Sequence, residues 1–423
     1  MSIAAEPLRA RPLTGRARAD RRPHSLAEWQ AEGGHVALQR ARAMAPGAVV
    51  EQVIQAALNG RGGAGFPAGR KWTFMPPPDG GPRHLVVNGD ETEPGAFKDR
   101  FLMEALPHQL LEGALIGAHA TAATDITVLV RDAYRPAIAA VGNAMQEIRA
   151  AGLEGGVRLH LHPSAGRYIV GEETALISAL EGNRPVPRQR PPFPAVSGIH
   201  GRPTTVNNVE TIACLPAILG EGAQWFRALS RTEEGGTKLY GVSGRVARPG
   251  LFERPMGTTA RELIEAAGGV SGSGELLTFQ PGGGASAFLG PEDLDLPLDF
   301  GHAARAGTML GTGTLIVLDT SACPLGVLRA HLRFYARESC GWCTPCREGL
   351  PLAARALDRL EEGGAEPSDL ALLADTVEQA GPRGRAFCDL MGGAMAPLAS
   401  LLRRFPDRFE AHLAGGCPLA VVP

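Results

Sequence analysis

His84-Leu85-Val86-Val87-Asn88-Gly89-Asp90-Glu91-Thr92-Glu93-Pro94-Gly95 joins an apolar triplet, read as a strand, to one Asn and three acids within six residues. The same alternation continues to about residue 181. Strands at 85–87, 126–130 and 157–161 are interleaved with helices at 108–123, 134–151 and 172–180. Strand–helix alternation of this length predicts an α/β fold on a largely parallel sheet. Open α/β sheets bind ligands at the carboxyl ends of their strands. The acidic run 88–93 follows one such end, so it is a candidate site for sugar hydroxyls and ring nitrogens. A solvated acidic turn is the competing reading.

Upstream, Ser25-Leu26-Ala27-Glu28-Trp29 reads as a helix start with Ser25 as N-cap, and residues 48–58 have helical apolar spacing. Residues 1–24 carry Arg9, Arg11, Arg16, Arg18, Arg21 and Arg22 against Glu6 and Asp20. They are expected to form a disordered tail, with an organelle transit peptide as the alternative. Downstream, residues 184–203 are dense in Pro and Arg and predict an extended, ordered loop. A small α+β domain is expected over 235–323, with strands at 238–246 and 315–318, a helix at 259–267 and a glycine run at 281–285. From residue 326 the periodicity turns helical (327–337, 350–361, 369–380, 394–412), which predicts a bundle to about 415 and a short tail at 416–423.

The 423 residues are 44% hydrophobic and 20% charged, an ordinary globular balance sufficient for two or three domains. A net charge of −2 gives no sign of a polyanion-binding surface, and no nucleic-acid partner is expected. No apolar run approaches the roughly 18 residues of a membrane helix, so any membrane role is peripheral. Seven cysteines are too few for a disulfide framework in so long a chain and point to a reducing compartment.

Residues 60–65 match G-x-G-x-x-G, yet a helical segment precedes them and Pro67 and Gly69 follow, unlike a standard dinucleotide fingerprint. What the glycines do allow is close approach of backbone N–H groups to a phosphate or planar ring, with Lys71 adding a cation. A flexible surface turn is the bland alternative. Tyr168-Ile169-Val170-Gly171-Glu172-Glu173 opens a helix on two carboxylates, which the helix dipole alone could explain. Asn207 and Asn208, at another helix start, can cap it or serve a heterocycle.

Ser339-Cys340-Gly341-Trp342-Cys343-Thr344-Pro345-Cys346 packs two C-x-x-C steps together, and Cys388 lies 42 residues beyond. Three thiolates from one turn plus one distant favour a [4Fe–4S] cluster. Structural zinc more often draws on two separate knuckles. Cys214 sits in an apolar helical run as a core residue. Cys323 and Cys417 each precede a proline, and position alone excludes neither as the fourth ligand; Cys388 is preferred.

Six stretches in one order carry a closer likeness: GRGGAGFPAGRKWTFMP (60–76), VVNGDETEPGAFKDR (86–100), YIVGEETALISALEG (168–182), PPFPAVSG (191–198), PTTVNNVET (203–211) and ARESCGWCTPCREGLP (336–351). Over about residues 25–415 the chain resembles the flavoprotein subunits of respiratory NADH:quinone oxidoreductase (complex I). The same module serves as diaphorase subunit in NAD-dependent formate dehydrogenases and soluble hydrogenases. The resemblance implies a Rossmann-like α/β FMN/NADH domain over 25–232, a ubiquitin-like (β-grasp) domain over 235–323 and a helical bundle with a [4Fe–4S] cluster over 326–415.

By motif position, the resemblance implies FMN contacts at Gly60, Gly62, Lys71, Asn88, Asp90, Tyr168, Gly171, Glu172, Glu173, Val206, Asn207, Asn208 and Thr211. It implies NADH contacts at Phe66, Phe74, Glu93, Arg190 and Phe193, and cluster ligands at Cys340, Cys343, Cys346 and Cys388. A carboxylate at Glu93 would accept from a ribose 2′-OH and repel a 2′-phosphate, favouring NADH over NADPH. Two departures stand out. Arg190 replaces a usual Lys and presents a planar fork where the family has a point charge. Val170 replaces a frequent Cys.

The implied activity is hydride transfer from NADH to FMN, then single electrons to the cluster and on to quinone through other subunits. No side-chain acid or base is required for this, and Glu93 and Glu173 are candidates for tuning the site. Implied partners are a thioredoxin-like [2Fe–2S] subunit and a large iron–sulfur subunit, on the cytoplasmic face of the bacterial inner membrane or the matrix side in an organelle. The rival from a different class is a non-enzymatic scaffold with a four-cysteine zinc site.

Overall fold

A computed structural model describes residues 11–419. Within them, strands β1 (His84–Gly89), β2 (Asp125–Arg131), β3 (Arg158–Ser164) and β4 (Thr204–Asn208) form one parallel sheet in the order β3-β2-β1-β4. Side chains alternate across it, as the two-residue strand period requires. Leu85, Val87, Ile126, Val128 and Val130 enter the large core shared with helices Pro107–Thr121 and Arg135–Ala150. Val86, Leu129 and Val206 face Leu176 and Ile177 of helix Glu173–Leu180 on the other side. Both faces are therefore covered, which suits a parallel sheet.

Chain order runs outward from β1 through β2 to β3, then returns to place β4 on β1's opposite edge. The reversal between β1 and β4 is the topological switch point where such sheets open a crevice. Asn88 of β1 pairs with Asn208 of β4 at this point.

A second sheet contains β5 (Thr237–Gly244), β6 (Gly250–Pro255), β7 (Leu276–Gln280) and β8 (Thr314–Asp319) in the order β6-β5-β8-β7. Its central pair is parallel and its outer pairs antiparallel. Helices Pro324–Glu338, Leu350–Glu362, Pro367–Ala380, Leu390–Arg404 and Pro406–Gly415 follow, around a core including Leu328, Leu332, Leu357 and Leu398. No helix among the described residues is long and apolar enough to cross a membrane.

The expected capping of Ser25 is present as a full box with Glu28. Four expectations change. Residues 204–208, read as leading into a helix, form edge strand β4 before helix Val209–Ala213 begins. The single run 394–412 is cut at Phe405, whose φ is −134° and whose next residue is Pro406.

The expected disordered tail of residues 1–24 is also revised. Its first ten residues lie outside the described residues, but 11–24 are folded onto the body. Buried Glu253 of β6 needs donors, and Leu13 N (2.9 Å), Thr14 N (2.7 Å) and Thr14 Oγ1 (2.7 Å) supply them. At the other end, Cys417 N donates to the Glu361 carbonyl at 3.2 Å, so the expected tail from 416 begins attached. Residues 420–423 of that tail lie outside the described residues.

Candidate active site

The glycine loop reaches the switch point from outside the sheet and is pinned there. Gly60 N donates to Phe66 O at 2.9 Å, closing the loop's base. Arg61 is fully buried; its backbone N–H donates to Thr211 Oγ1 (2.8 Å) and its guanidinium to the carbonyls of Gly235 (2.7 Å) and Thr237 (3.3 Å). A side chain locked this way excludes the flexible-turn reading. Gly62 lies so close to β4 that an added Cβ would stand 3.1 Å from Asn208 Cβ. Lys71 then crosses to donate to Val206 O (2.8 Å) and Glu173 Oε2 (2.6 Å), linking the loop to β4 and to helix Glu173–Leu180.

At the carboxyl end of β1, Asn88 Oδ1 accepts from Asp90 N at 3.0 Å, and Asp90 Oδ2 accepts from Ser164 Oγ at the end of β3. Asp90 Oδ1 is buried without a partner. Burial pushes the Asp90 carboxyl up to about 6, against the opposing bond from Ser164.

The asparagine pair is already engaged. Asn208 caps helix Val209–Ala213 by accepting from Glu210 N at 2.9 Å, and also accepts from Lys98 Nζ (3.2 Å) and donates to Asp99 Oδ2 (2.6 Å). Asn207 Oδ1 accepts from Trp72 Nε1 at 3.3 Å. Their side chains hold the crevice wall in place.

Behind that wall lies a buried charge cluster that the sequence reading missed. Glu210 Oε2 stands 2.6 Å from Lys238 Nζ and 3.0 Å from Lys98 Nζ, and Lys98 Nζ stands 2.7 Å from Asp99 Oδ1. Burial raises the Glu210 carboxyl, but the two ammonium groups outweigh it and hold the group near 2. Burial lowers Lys238 to about 8 despite its partner. Glu91, one of the three acids of the run 88–93, faces no ligand role here; it accepts from the N–H groups of Lys98 (2.9 Å), Asp99 (3.1 Å) and Arg100 (3.1 Å), starting helix Lys98–Ala105. The faint sequence signal was a Lys-Asp pair opening a helix whose centre is Phe101-Leu102-Met103.

Opposite this wall, Tyr168 Oη donates to Glu93 Oε2 at 2.8 Å, and Ala285 N donates to Glu93 Oε1 at 2.9 Å. Glu93 thus joins β1's loop to the 281–285 glycine run. Its carboxyl is pushed up to about 7 by burial, with those donors pulling the other way. The Tyr168 ring packs edge-on against Phe334 and Tyr335, centroids 5.4 Å away in each case. Glu172 caps its own helix through Thr174 N (2.9 Å) and Ala175 N (2.8 Å). Arg190 faces Glu172 (3.4 Å) and Glu173 (3.6 Å). Phe66, Phe74 and Phe193 remain 44%, 51% and 57% exposed, and the first two have ring centroids 6.0 Å apart. A Cβ on Gly171 would meet nothing within 4 Å, so sterics do not require glycine there.

The four cysteines of the 3 + 1 pattern are free thiols on one apolar cluster, together with Ile169, Ala175 and Tyr168. Gly341, at φ +68°, turns the chain between Cys340 and Cys343. Cys346 enters the next helix through the turn Pro345–Gly349, and Cys388 precedes helix Leu390–Arg404. Burial drives the Cys346 thiol well up, with Cys343 and Cys388 adding to it, and burial takes Cys388 to about 11. Such thiols ionise when a metal binds. Cys323 and Cys417 stand elsewhere, beside His412.

A redox protein binding a flavin and an iron–sulfur cluster is the class this architecture defines. Residues 53–217 match the family model described as Nuo51 FMN-binding domain, 326–412 match NADH-ubiquinone oxidoreductase-F iron-sulfur binding region, and 239–286 match SLBB domain. The NADH-quinone oxidoreductase F subunit of Salmonella typhimurium is 45% identical, over 95% of this chain and 93% of its own. The Mycobacterium bovis protein of the same name is 43% identical, over 99% and 97%. A crystal structure of NAD+-reducing [NiFe]-hydrogenase in the H2-reduced state superposes with a TM-score of 0.83 at 36% identity, covering 93% of this chain and 67% of that one. The chain belongs to the family of NADH-quinone oxidoreductase F subunits, the NADH-oxidising flavoproteins of a multi-subunit complex.

The residues fit both family cofactors, FMN and a [4Fe–4S] cluster. Asp90 Oδ1 awaits a donor such as a hydroxyl, and the absence of a Cβ at Gly62 lets the loop backbone close on Asn208 at the crevice. The four thiols supply an all-sulfur donor set. Among the described residues, the set of metal-ligating atoms all within 4.8 Å of one another is not these four.

Proposed function

We propose that the β1/β4 crevice binds FMN and NADH, and that the chain passes electrons from there to a cluster held by Cys340, Cys343, Cys346 and Cys388. The observation that carries this reading is the double use of one segment. Residues 168–173 contribute Tyr168, Glu172 and Glu173 to the crevice, while Tyr168 and Ile169 pack on the same apolar cluster as Cys346 and Cys388. FMN, when bound, supplies the exchange between two-electron chemistry with NADH and one-electron chemistry with the cluster.

The chain's own residues do the positioning. Gly60 and Gly62 admit the flavin against Asn208, Val206 and Thr211; Asn88 and Asp90 take hydroxyls; Lys71 provides the positive charge beside the crevice. Gly171, Glu172, Glu173 and Asn207 complete the wall. Phe66, Phe74 and Phe193 offer exposed ring faces for NADH, and Arg190 offers a guanidinium for its pyrophosphate. Glu93, held by Tyr168 and Ala285, offers its carboxylate to a ribose hydroxyl. Three units carry these roles: an FMN/NADH domain (25–232), a β-grasp domain (235–323) and a cluster-bearing bundle (326–415).

In the assembled complex, the bundle docks on a thioredoxin-like [2Fe–2S] subunit and a large iron–sulfur subunit. The location is the cytoplasmic face of the bacterial inner membrane, or the matrix side in an organelle, and quinone is reduced through other subunits. A second reading, the diaphorase subunit of a soluble hydrogenase or formate dehydrogenase, draws support from the likeness to the NAD+-reducing hydrogenase. Co-purifying subunits separate the two. The first test is NADH:ferricyanide activity of anaerobically purified protein, co-expressed with the thioredoxin-like partner. Fast oxidation of NADH and slow oxidation of NADPH is expected. Folded, metal-loaded protein with neither flavin nor activity would overturn the reading and leave a zinc scaffold.

A further inference from the structure

Far from the crevice, four potential ligands converge at the other end of the bundle's first helix. Cys323 sits at the N-cap of helix Pro324–Glu338, Glu361 in the last turn of Leu350–Glu362, His412 in Pro406–Gly415, and Cys417 just past that helix. Their ligand atoms all lie within 4.8 Å of one another. Cys323 Sγ stands 3.4 Å from His412 Nε2 and 3.7 Å from Glu361 Oε1, and His412 Nε2 stands 3.6 Å from Glu361 Oε1. Bonds of about 2.0–2.3 Å to a tetrahedral zinc ion give ligand–ligand edges of about 3.4–3.8 Å. The measured separations already have that size.

The surroundings are those of a metal ligand set. His412 is fully buried, and its Nδ1 donates to the Arg408 carbonyl at 2.6 Å. That bond fixes the tautomer with the Nε2 lone pair facing the two sulfurs, the usual outer-shell arrangement of a zinc-bound histidine. Cys417 is held in place by its own N–H on the Glu361 carbonyl. Two sulfurs, one imidazole and one carboxylate suit zinc better than the harder magnesium or calcium. The first helix spans 15 residues, about 22 Å at about 1.5 Å per residue, so this group and Cys340 lie at opposite ends of it.

We infer that Cys323, His412 and Cys417, with Glu361 as fourth ligand, form a second and structural metal site that takes one zinc ion. With four protein ligands it is closed, so the ion acts as a staple and not as a reaction centre. It ties together three helices from residues as far as 94 positions apart, the long-loop closure in which a metal clip stabilises most.

The test is metal analysis of tag-free, full-length protein produced with its partner in zinc-supplied medium. One zinc per chain is expected beside the cluster iron. His412→Ala and Cys417→Ser should each lower zinc at least tenfold while leaving iron unchanged. Should either variant fail to fold, wild-type protein loaded with cobalt(II) gives an independent readout, and thiolate charge-transfer and tetrahedral ligand-field bands are expected. Wild-type protein with under a tenth of an equivalent of zinc and no such bands would overturn the inference. Zinc that persists in both folded variants would also overturn it. Neither result bears on the flavin reading, which is followed by FMN content and iron.

Discussion

The hydroxyl of Tyr168 donates to Oε2 of Glu93 at 2.8 Å, across 75 residues of sequence. This bond joins β1's acidic loop to the segment that packs on the cluster cysteines. Through Glu93 Oε1 it extends to Ala285 in the glycine run before β8. One carboxylate therefore couples three parts of the chain, and its ionisation matters to all of them.

Tyr168→Phe removes the donor and leaves the ring packing with Phe334 and Tyr335 intact. The lost bond favoured the charged carboxylate, so the Glu93 pKa, already about 7 through burial, should rise further. Its ionised fraction at neutral pH should fall. The acid limb of the pH profile of NADH kcat/KM is expected to move to higher pH, with a stability loss of about 1 kcal/mol. An unmoved acid limb would show that Glu93 does not govern NADH binding.

Lys71→Met keeps most of the side chain's length and removes its charge and its bonds to Val206 and Glu173. Charge-assisted bonds of this kind are worth about 1.5–3 kcal/mol, so FMN should bind at least about tenfold more weakly. Flavin released per chain by acid, measured by fluorescence, checks this. Full flavin occupancy under dilution would remove Lys71 from the cofactor site.

Legibility in the sequence followed the nature of the interactions. Strands β1 and β2 carry three or more adjacent aliphatic residues and stood out; β4 reads Thr-Thr-Val-Asn-Asn and did not. As an edge strand it has a single aliphatic, Val206, to mark it. The C-x-x-C steps were visible because their ligands are adjacent. Lys98, Glu210 and Lys238 were not, because each reads as a surface charge until folding across the chain buries all three. Cys323 and Cys417 were weighed only as a fourth cluster ligand, and their separation from each other and from His412 hid a common centre.

Glu210→Gln leaves the ammonium groups of Lys98 and Lys238 buried without their shared counter-ion. Breaking one side of a buried ion pair costs about 3–5 kcal/mol, and the variant should melt well below the parent in thermal or urea unfolding. The pH dependence has a definite sign. Glu210 is held near 2 in the fold against an ordinary value of 4.5, so its contribution is complete above 4.5 and lost as pH falls toward 2. The parent should lose stability over that interval, and the variant should lose less. Equal acid slopes would place the acid-sensitive carboxylates elsewhere.

Cys388→Ser decides the fourth cluster ligand. Cys340, Cys343 and Cys388 pack with Cys346 on one apolar cluster; Cys323 borders that cluster too, but its Sγ stands with Glu361, His412 and Cys417. Serine is a poor ligand for a cluster that demands thiolate. The variant should lose most of its iron and its reduced-cluster EPR signal and keep its FMN, since the crevice is built from other residues. Electron delivery from the flavin to the rest of the complex should fall by at least a hundredfold, while NADH:ferricyanide activity at the flavin falls far less. Cys323→Ser in parallel should keep its iron. If Cys323→Ser loses iron and Cys388→Ser does not, the ligand assignment is reversed, and the grouping of Cys323 with His412 would have to be abandoned with it.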